Sequence, residues 1–207
     1  MFDLDGTLAA TGRDLANSVN YTRGLLGLAP LDDAVVFRFV GHGTEHLIRR
    51  SLPAGYENRF DEALALFLEH YEKHLLDTTA LYPNVEETLD RFGNKKRAVV
   101  TNKREYLAVG VLRGLGIEKY FDAIVGGDSG LNKKPDPGAV NHVLAELNVE
   151  ARKALMIGDG ETDIAAGKAA GVYTCGVTYG LGDKEDIVAA RPDILIDDLG
   201  ELANYID

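Results

Sequence analysis

Asp3 and Asp5 stand one residue apart in the opening run Met1-Phe2-Asp3-Leu4-Asp5-Gly6-Thr7-Leu8, two carboxylates in an apolar setting. Positions i and i+2 of an extended strand share a face, so the pair would crowd if the strand ran through Asp5. Gly6 marks a turn, which ends the strand between them and leaves Asp3 at its tip and Asp5 just beyond. Two charges so close need a divalent cation or a shared proton. Taken alone, an Asp-X-Asp also describes a solvated acidic turn.

Three further polar clusters follow apolar runs. Ala98-Val99-Val100 leads into Thr101-Asn102-Lys103. The run 120–125 leads into Gly126-Gly127-Asp128-Ser129 and then Lys133-Lys134-Pro135-Asp136-Pro137. Ala154-Leu155-Met156-Ile157 leads into Gly158-Asp159-Gly160-Glu161-Thr162-Asp163. Short β-rich runs alternating with helical stretches predict a parallel sheet covered on both faces. Ligands bind such sheets beyond the carboxyl ends of the strands. All these clusters fall at predicted carboxyl ends, so they should converge on one edge.

In this order the clusters resemble the motifs of the haloacid dehalogenase superfamily of phosphohydrolases: Asp-X-Asp-Gly-Thr, a strand-terminal Thr, a Lys, then Gly-Asp with a later Asp. The resemblance covers Asp3 to about Gly171 and is specific as a joint pattern. Phe39-Val40-Gly41-His42-Gly43, Leu81-Tyr82-Pro83, Val99-Val100-Thr101-Asn102-Lys103 and the segments 126–129 and 133–137 are most similar to the phosphoglycolate-hydrolysing members. The resemblance implies a magnesium-dependent phosphomonoester hydrolase working through an aspartyl-phosphate, with 2-phosphoglycolate as substrate. It also implies an α/β fold, a Rossmann-like parallel sheet with helices on both faces, plus an inserted α-helical cap domain.

Phosphoryl transfer needs an in-line nucleophile, charge neutralisation and proton management for the leaving group. Asp3 fits the nucleophile, and Asp5 the group that protonates the departing alkoxide and later deprotonates water. Surroundings that differ push neighbouring carboxylates apart in pKa, which suits this division. Magnesium prefers oxygen ligands and keeps several waters. Asp3, the backbone carbonyl of Asp5 and Asp159 form the expected ligand set, with Asp163 orienting it from behind. Thr101 offers a hydroxyl, Asn102 and Gly6 offer backbone N–H groups to the phosphate, and Lys134 supplies the cation. Lys134 is preferred to Lys133 because the resemblance places the catalytic Lys immediately before Pro, here Pro135. Gly41, His42 and Gly43 are candidates for contact with the leaving group, aided by Arg38 or Arg13. Taken singly, each of these is equally a turn residue or a surface side chain.

The elements that must position these groups divide in two. From Gly12 to Thr79 the pattern is helical, with Leu15, Val19, Thr22 and Leu26 on one face and Leu64, Phe67, Leu68, Tyr71 and Leu75 on another. Gly27 and Pro30 end the first of these helices, Asp32 is placed to cap a short one, and Thr44 another. Residues 12–79 are therefore expected to form the cap domain, and residues 1–11 with 80–207 the catalytic core. The core should alternate strand and helix to a strand at Ile194–Ile196 and a terminal helix. Two features sit badly with this plan. Only Met1 and Phe2 precede Asp3, too few to pair along a useful length on both sides, which suggests a natural start a few residues upstream. Ala9-Ala10-Thr11 replaces the Asp usual in the family before Ser or Thr, removing a polar anchor near the cap hinge.

With 207 residues, 45% hydrophobic and 27% charged, the chain can bury a full core. A net charge of -11 argues against nucleic acid or an anionic membrane as partner. The expected partner is a small phosphorylated metabolite, and the protein a monomer or homodimer. The lone Cys175 reads as a buried thiol, and with no membrane-length apolar run the expected location is the cytoplasm. His42 with His46 and His70 with His74 have the i, i+4 spacing of zinc ligands but lack a third partner, so solvated helix faces are expected. Gly158-Asp159-Gly160 lacks the spacing of a dinucleotide fingerprint. Rival readings are a receiver-like phospho-acceptor signalling module, a non-catalytic interaction protein, or another activity of the family: phosphosugar mutase or phosphatase, pyrophosphatase, or nucleotidase.

Overall fold

Val99 joins the apolar cluster on one face of the sheet, while Ala98 and Val100 join the cluster on the other. Ile157 and Met156 divide in the same way. This period-two alternation is what a strand buried on both sides requires, and it fixes the layers of the molecule. The structure is a computed structural model describing residues 1–206. Its strands are β1 (Ala98–Val100), β2 (Ala123–Val125), β3 (Leu155–Gly158), β4 (Tyr173–Val177) and β5 (Ile194–Ile196), and every pair is parallel.

Met1–Asp3 lies in the middle of the sheet, between β1 and β3. Phe2 N donates to Ala98 O at 2.9 Å, and Phe2 O accepts from Val100 N at 2.8 Å. On the other side, Asp3 N donates to Ile157 O and Ile157 N to Met1 O, both at 2.9 Å. The order is thus β2-β1-(1–3)-β3-β4-β5. The expectation that so short a lead-in cannot bond on both sides is corrected: alternate N–H and C=O groups point to opposite neighbours, so three residues suffice.

Helices α5 (Val85–Arg91) and α6 (Glu105–Gly114) cover one face through Val85, Leu89, Ala108, Val111 and Leu112. Helices α7 (Gly138–Glu146) and α8 (Glu161–Ala169) cover the other through Ala139, Val140, Val143 and Ala166. Helix α9 (Lys184–Ala189) packs on β4. The expected terminal helix is a 3-10 helix, Leu199–Asn204, with the Asp198 carboxylate accepting from Gly200 N.

The segment after Thr11 is helical, as its periodicity predicts: α1 (Gly12–Leu25), α2 (Asp33–Phe37), α3 (Thr44–Ser51) and α4 (Phe60–Lys73). Leu15, Val19, Leu26, Leu47, Ile48, Phe67 and Tyr71 close a separate apolar cluster among them. Its two connections to the sheet run side by side, with Ala10 N donating to Ala80 O at 2.8 Å and Tyr82 N to Leu8 O at 3.1 Å. The polar anchor expected to be missing is supplied by Asp14. Its buried carboxylate accepts from the backbone N–H and hydroxyl of Thr78 and of Thr79, at 2.6–3.1 Å. No described helix is long and apolar enough to cross a membrane.

Candidate active site

Asp3 closes the central sheet segment, Thr101 follows β1, and Asp159 follows β3, so sheet topology alone sets them on one edge. The loop after β2 brings in Lys134, and α8 brings in Asp163 from its first turn. Lys134 is buried, and its Nζ donates to Asp163 Oδ1 at 2.5 Å and to Val100 O at 2.6 Å, lying 3.0 Å from Asp3 Oδ1. Burial lowers its pKa, but the charges of Asp163 and Asp3 raise it further, so it stays an ammonium. Lys133 turns the other way, to Glu45 Oε2 at 2.5 Å on α3.

Oxygens of Asp3, Asp159 and Asp163 lie within 4.8 Å of one another, all on buried residues. Asp159 Oδ1 accepts from Thr7 Oγ1 at 2.9 Å, and Oδ2 from Leu181 N at 2.8 Å and Gly182 N at 3.0 Å. Even so, burial and the neighbouring Asp3 charge push its pKa up to about 6. Asp163 Oδ2 accepts from Gly160 N at 3.0 Å, which leaves it committed to α8 and Lys134. Asp3 Oδ1 is buried, and its contact with the Lys134 ammonium at 3.0 Å is an ion pair without hydrogen-bond geometry. Three buried carboxylates around one ammonium are hard oxygen donors short of positive charge, which fits a magnesium ion. Gly6, at φ +83°, makes room for the Asp159 carboxylate: a Cβ there would come 2.0 Å from Asp159 Oδ2.

Expected phosphate donors are met in part. Thr101 Oγ1 accepts from Lys103 N at 3.2 Å, which leaves its own hydrogen to donate. Asn102 N–H has no acceptor among the described residues, and its side chain is fixed by Gly41 O and Lys134 at 2.8–2.9 Å. Gly6 is the correction: its N–H is spent on Ala9 O at 3.0 Å, because the turn after Asp5 closes on itself. The N–H groups of Leu4 and Asp5, which precede that turn, have no acceptor among the described residues.

Lys103 is the residue sequence reasoning passed over. Its Nζ donates to Asp5 Oδ1 at 2.9 Å, Asp5 Oδ2 at 3.1 Å and Tyr71 Oη at 2.9 Å. Burial lowers its pKa, and the facing Asp5 charge more than reverses this. Tyr71 carried the available signal, since a tyrosine on the apolar stripe of a helix needs a polar partner for its hydroxyl.

A cavity of about 30 Å³ lies between sheet and helices, lined by Asp3, Asp5, Gly41, Gly43, Thr101 and Lys103 among others. His42 and Arg38 line a neighbouring cavity of about 250 Å³ that also touches Asp159. Arg13 does not take part: it is largely exposed and 3.9 Å from Asp33. His46 lies 4.8 Å from His42, ring to ring. His70 departs from the expected solvated face, for it stacks between Tyr21 and His74 at 4.0 and 4.1 Å with Nδ1 against Ser18 Oγ. Among the described residues the acidic trio is the one grouping of three or more ligating side chains.

The family model of haloacid dehalogenase-like hydrolases matches residues 1–177. Phosphoglycolate phosphatase of Colwellia psychrerythraea is 37% identical over 98% of this chain and 93% of its own length. The enzyme of that name from Vibrio cholerae is 38% identical over 99% of this chain and 95% of its own. A crystal structure of a predicted phosphoglycolate phosphatase from Haemophilus somnus superposes with TM-score 0.95 at 30% identity, covering 100% of this chain and 96% of that one. With these likenesses spanning the sheet, the buried carboxylates and the helical unit together, the chain belongs to the haloacid dehalogenase-like hydrolases.

Proposed function

We propose that this enzyme hydrolyses small phosphomonoesters, 2-phosphoglycolate foremost, through a phosphoryl group carried on Asp3. The observation that carries the reading is Lys134 Nζ, buried between Asp3 and Asp163. A nucleophilic carboxylate needs its charge held but not protonated, and an adjacent ammonium does that. Asp3 attacks phosphorus. Thr101 Oγ1, the N–H groups of Leu4, Asp5 and Asn102, and Lys134 hold the phosphoryl oxygens. Asp5 gives a proton to the departing alkoxide and takes one from the attacking water. Asp3, Asp159 and the Asp5 carbonyl would hold magnesium, with Asp163 orienting Asp3 and Lys134. When bound, the ion neutralises charge on the phosphoryl oxygens.

Substrate identity rests on the relatives' printed activity, with the leaving group placed in the cavity beside Asp3 and Asp5. Residues 12–79 act as the cap over a core of residues 1–11 and 80–207, Asp207 itself lying outside the described residues. Gly41 and Gly43 present the cap backbone to the leaving group, and His42 lies beside the neighbouring entrance. The buried free thiol of Cys175 suits the reducing cytoplasm. A phosphate-release screen over phosphorylated metabolites tests the proposal. The highest kcat/KM is expected for 2-phosphoglycolate; a tenfold preference for a sugar phosphate, nucleotide or pyrophosphate would overturn the substrate and leave the chemistry.

A further inference from the structure

Lys103 is 3% exposed, yet its ammonium touches neither Asp3 nor Asp163; all its contacts go to Asp5 and Tyr71. An ammonium has three N–H groups, and the Asp5 oxygens with Tyr71 Oη account for them. Tyr71 is fully buried on α4, its ring centroid 4.7 Å from Nζ. The two oxygens of Asp5 are held unequally. Oδ1 accepts from Thr11 Oγ1 at 2.6 Å and from Lys103 at 2.9 Å, whereas Oδ2 has only the longer Lys103 contact of 3.1 Å. Stability alone is a weak reason to keep such a pair, since apolar replacement of buried ion pairs is often neutral or better.

We propose that Lys103 is a positioning residue for the proton-transferring carboxyl of Asp5, and that Tyr71 makes the positioning depend on α4 being seated over the core. This rests on the phosphomonoesterase reading above. Thr11 and the shorter Lys103 contact anchor Oδ1, and Oδ2, held by the longer Lys103 contact alone, carries the proton. In the first half-reaction an Asp3 oxygen bonds to phosphorus as the ester P–O bond breaks. The bonding pair stays on the alkoxide, which takes the proton from Asp5 Oδ2. In the second, water bonds to phosphorus as the Asp3 O–P bond breaks, and the water proton returns to Asp5 Oδ2. The sum is ester plus water giving alcohol plus phosphate. Linking Oδ2 to α4 through Lys103 and Tyr71 keeps protonation of the leaving group from running ahead of closure.

The test compares an alkyl ester, 2-phosphoglycolate, with acetyl phosphate, whose acetate departs as a stable anion and needs no proton. Lys103→Met is expected to slow single-turnover cleavage of 2-phosphoglycolate about a hundredfold, the scale of a misplaced acid–base group. Its first-turnover burst of acetate from acetyl phosphate should stay within about fivefold of wild type, with slow turnover after it, since water attack also needs Asp5. Tyr71→Phe, which keeps the ring, should lower kcat on 2-phosphoglycolate about tenfold with KM nearly unchanged. Should Lys103→Met fail to fold, Tyr71→Phe carries the same comparison. Equal losses on both substrates would reduce Lys103 to a structural role, and no loss on either would remove its role; both overturn the proposal. A wild-type protein inert on both compounds would instead overturn the phosphatase reading, and the proposal with it.

Discussion

Lys134 Nζ donates to Asp163 Oδ1 at 2.5 Å while lying 3.0 Å from Asp3 Oδ1, so one buried ammonium stands between two carboxylates. Asp159 adds a third carboxylate to the same 4.8 Å neighbourhood. One ammonium cannot balance three such charges, and burial, with the Asp3 charge adding to it, raises the pKa of Asp159. What the cluster lacks is positive charge.

Asp3→Asn removes the proposed nucleophile and one of the crowded charges. Turnover should fall to less than a few per cent of wild type, while the thermal midpoint holds or rises because repulsion is relieved. Phosphate release with a parallel thermal melt checks both; appreciable residual turnover would count against a covalent route.

Lys134→Met leaves the buried carboxylates without their ammonium. Breaking a buried pair on one side costs about 3–5 kcal/mol, so this variant should be far less stable than Asp3→Asn as well as inactive. Denaturant titration of the two side by side measures the difference, and equal stabilities would argue against the ion pairs seen here.

Chelation should silence the enzyme, and magnesium should restore it. Independently of turnover, saturating magnesium at about 100 times Kd should stabilise the protein by about 2.7 kcal/mol, a shift of several degrees. Asp159→Asn should lose most of that shift. A midpoint indifferent to magnesium would take Asp159 out of the ligand set.

Asp14 gives a pH dependence with a definite sign. Burial works to raise its pKa, but the Thr78 and Thr79 hydroxyls and N–H groups outweigh this and hold it below the ordinary carboxylate value. The folded protein therefore favours the ionised form, and the stabilisation is complete above the unfolded value of about 4. It is lost as pH falls through the lower folded-state value. Asp14→Ala should cost about 2–4 kcal/mol near neutral pH by stranding these donors, and its stability should vary less with pH below about 4. Melts between pH 3 and 7 compare the two proteins.

Much of the architecture was legible because it follows from local rules. Ala98–Val100 and Leu155–Gly158 are apolar runs ended by polar clusters, and they are strands whose ends meet at the site. Leu15, Val19, Thr22 and Leu26 keep helical spacing, and all are buried. What could not be read depends on pairing across long separations. Nothing local places Phe2 between Ala98 and Ile157, or tells that Asp14 ties down Thr78 and Thr79, more than sixty positions on. Lys103 looked like its neighbours in the chain because its partners, Asp5 and Tyr71, lie 98 and 32 positions away. Gly6 was misjudged for the opposite reason: its N–H closes a turn with Ala9, three residues on, where a phosphate contact was expected.

Lys133 and Lys134 are consecutive, yet the first grips Glu45 on the helical unit and the second the Asp3–Asp163 pair. One planar peptide link with about 3.8 Å between Cα atoms separates them. Glu45 on the helical unit and the buried Asp3–Asp163 pair are thus tied to the two ends of a single rigid joint, so a shift of one has no long relay to cross before it meets the other.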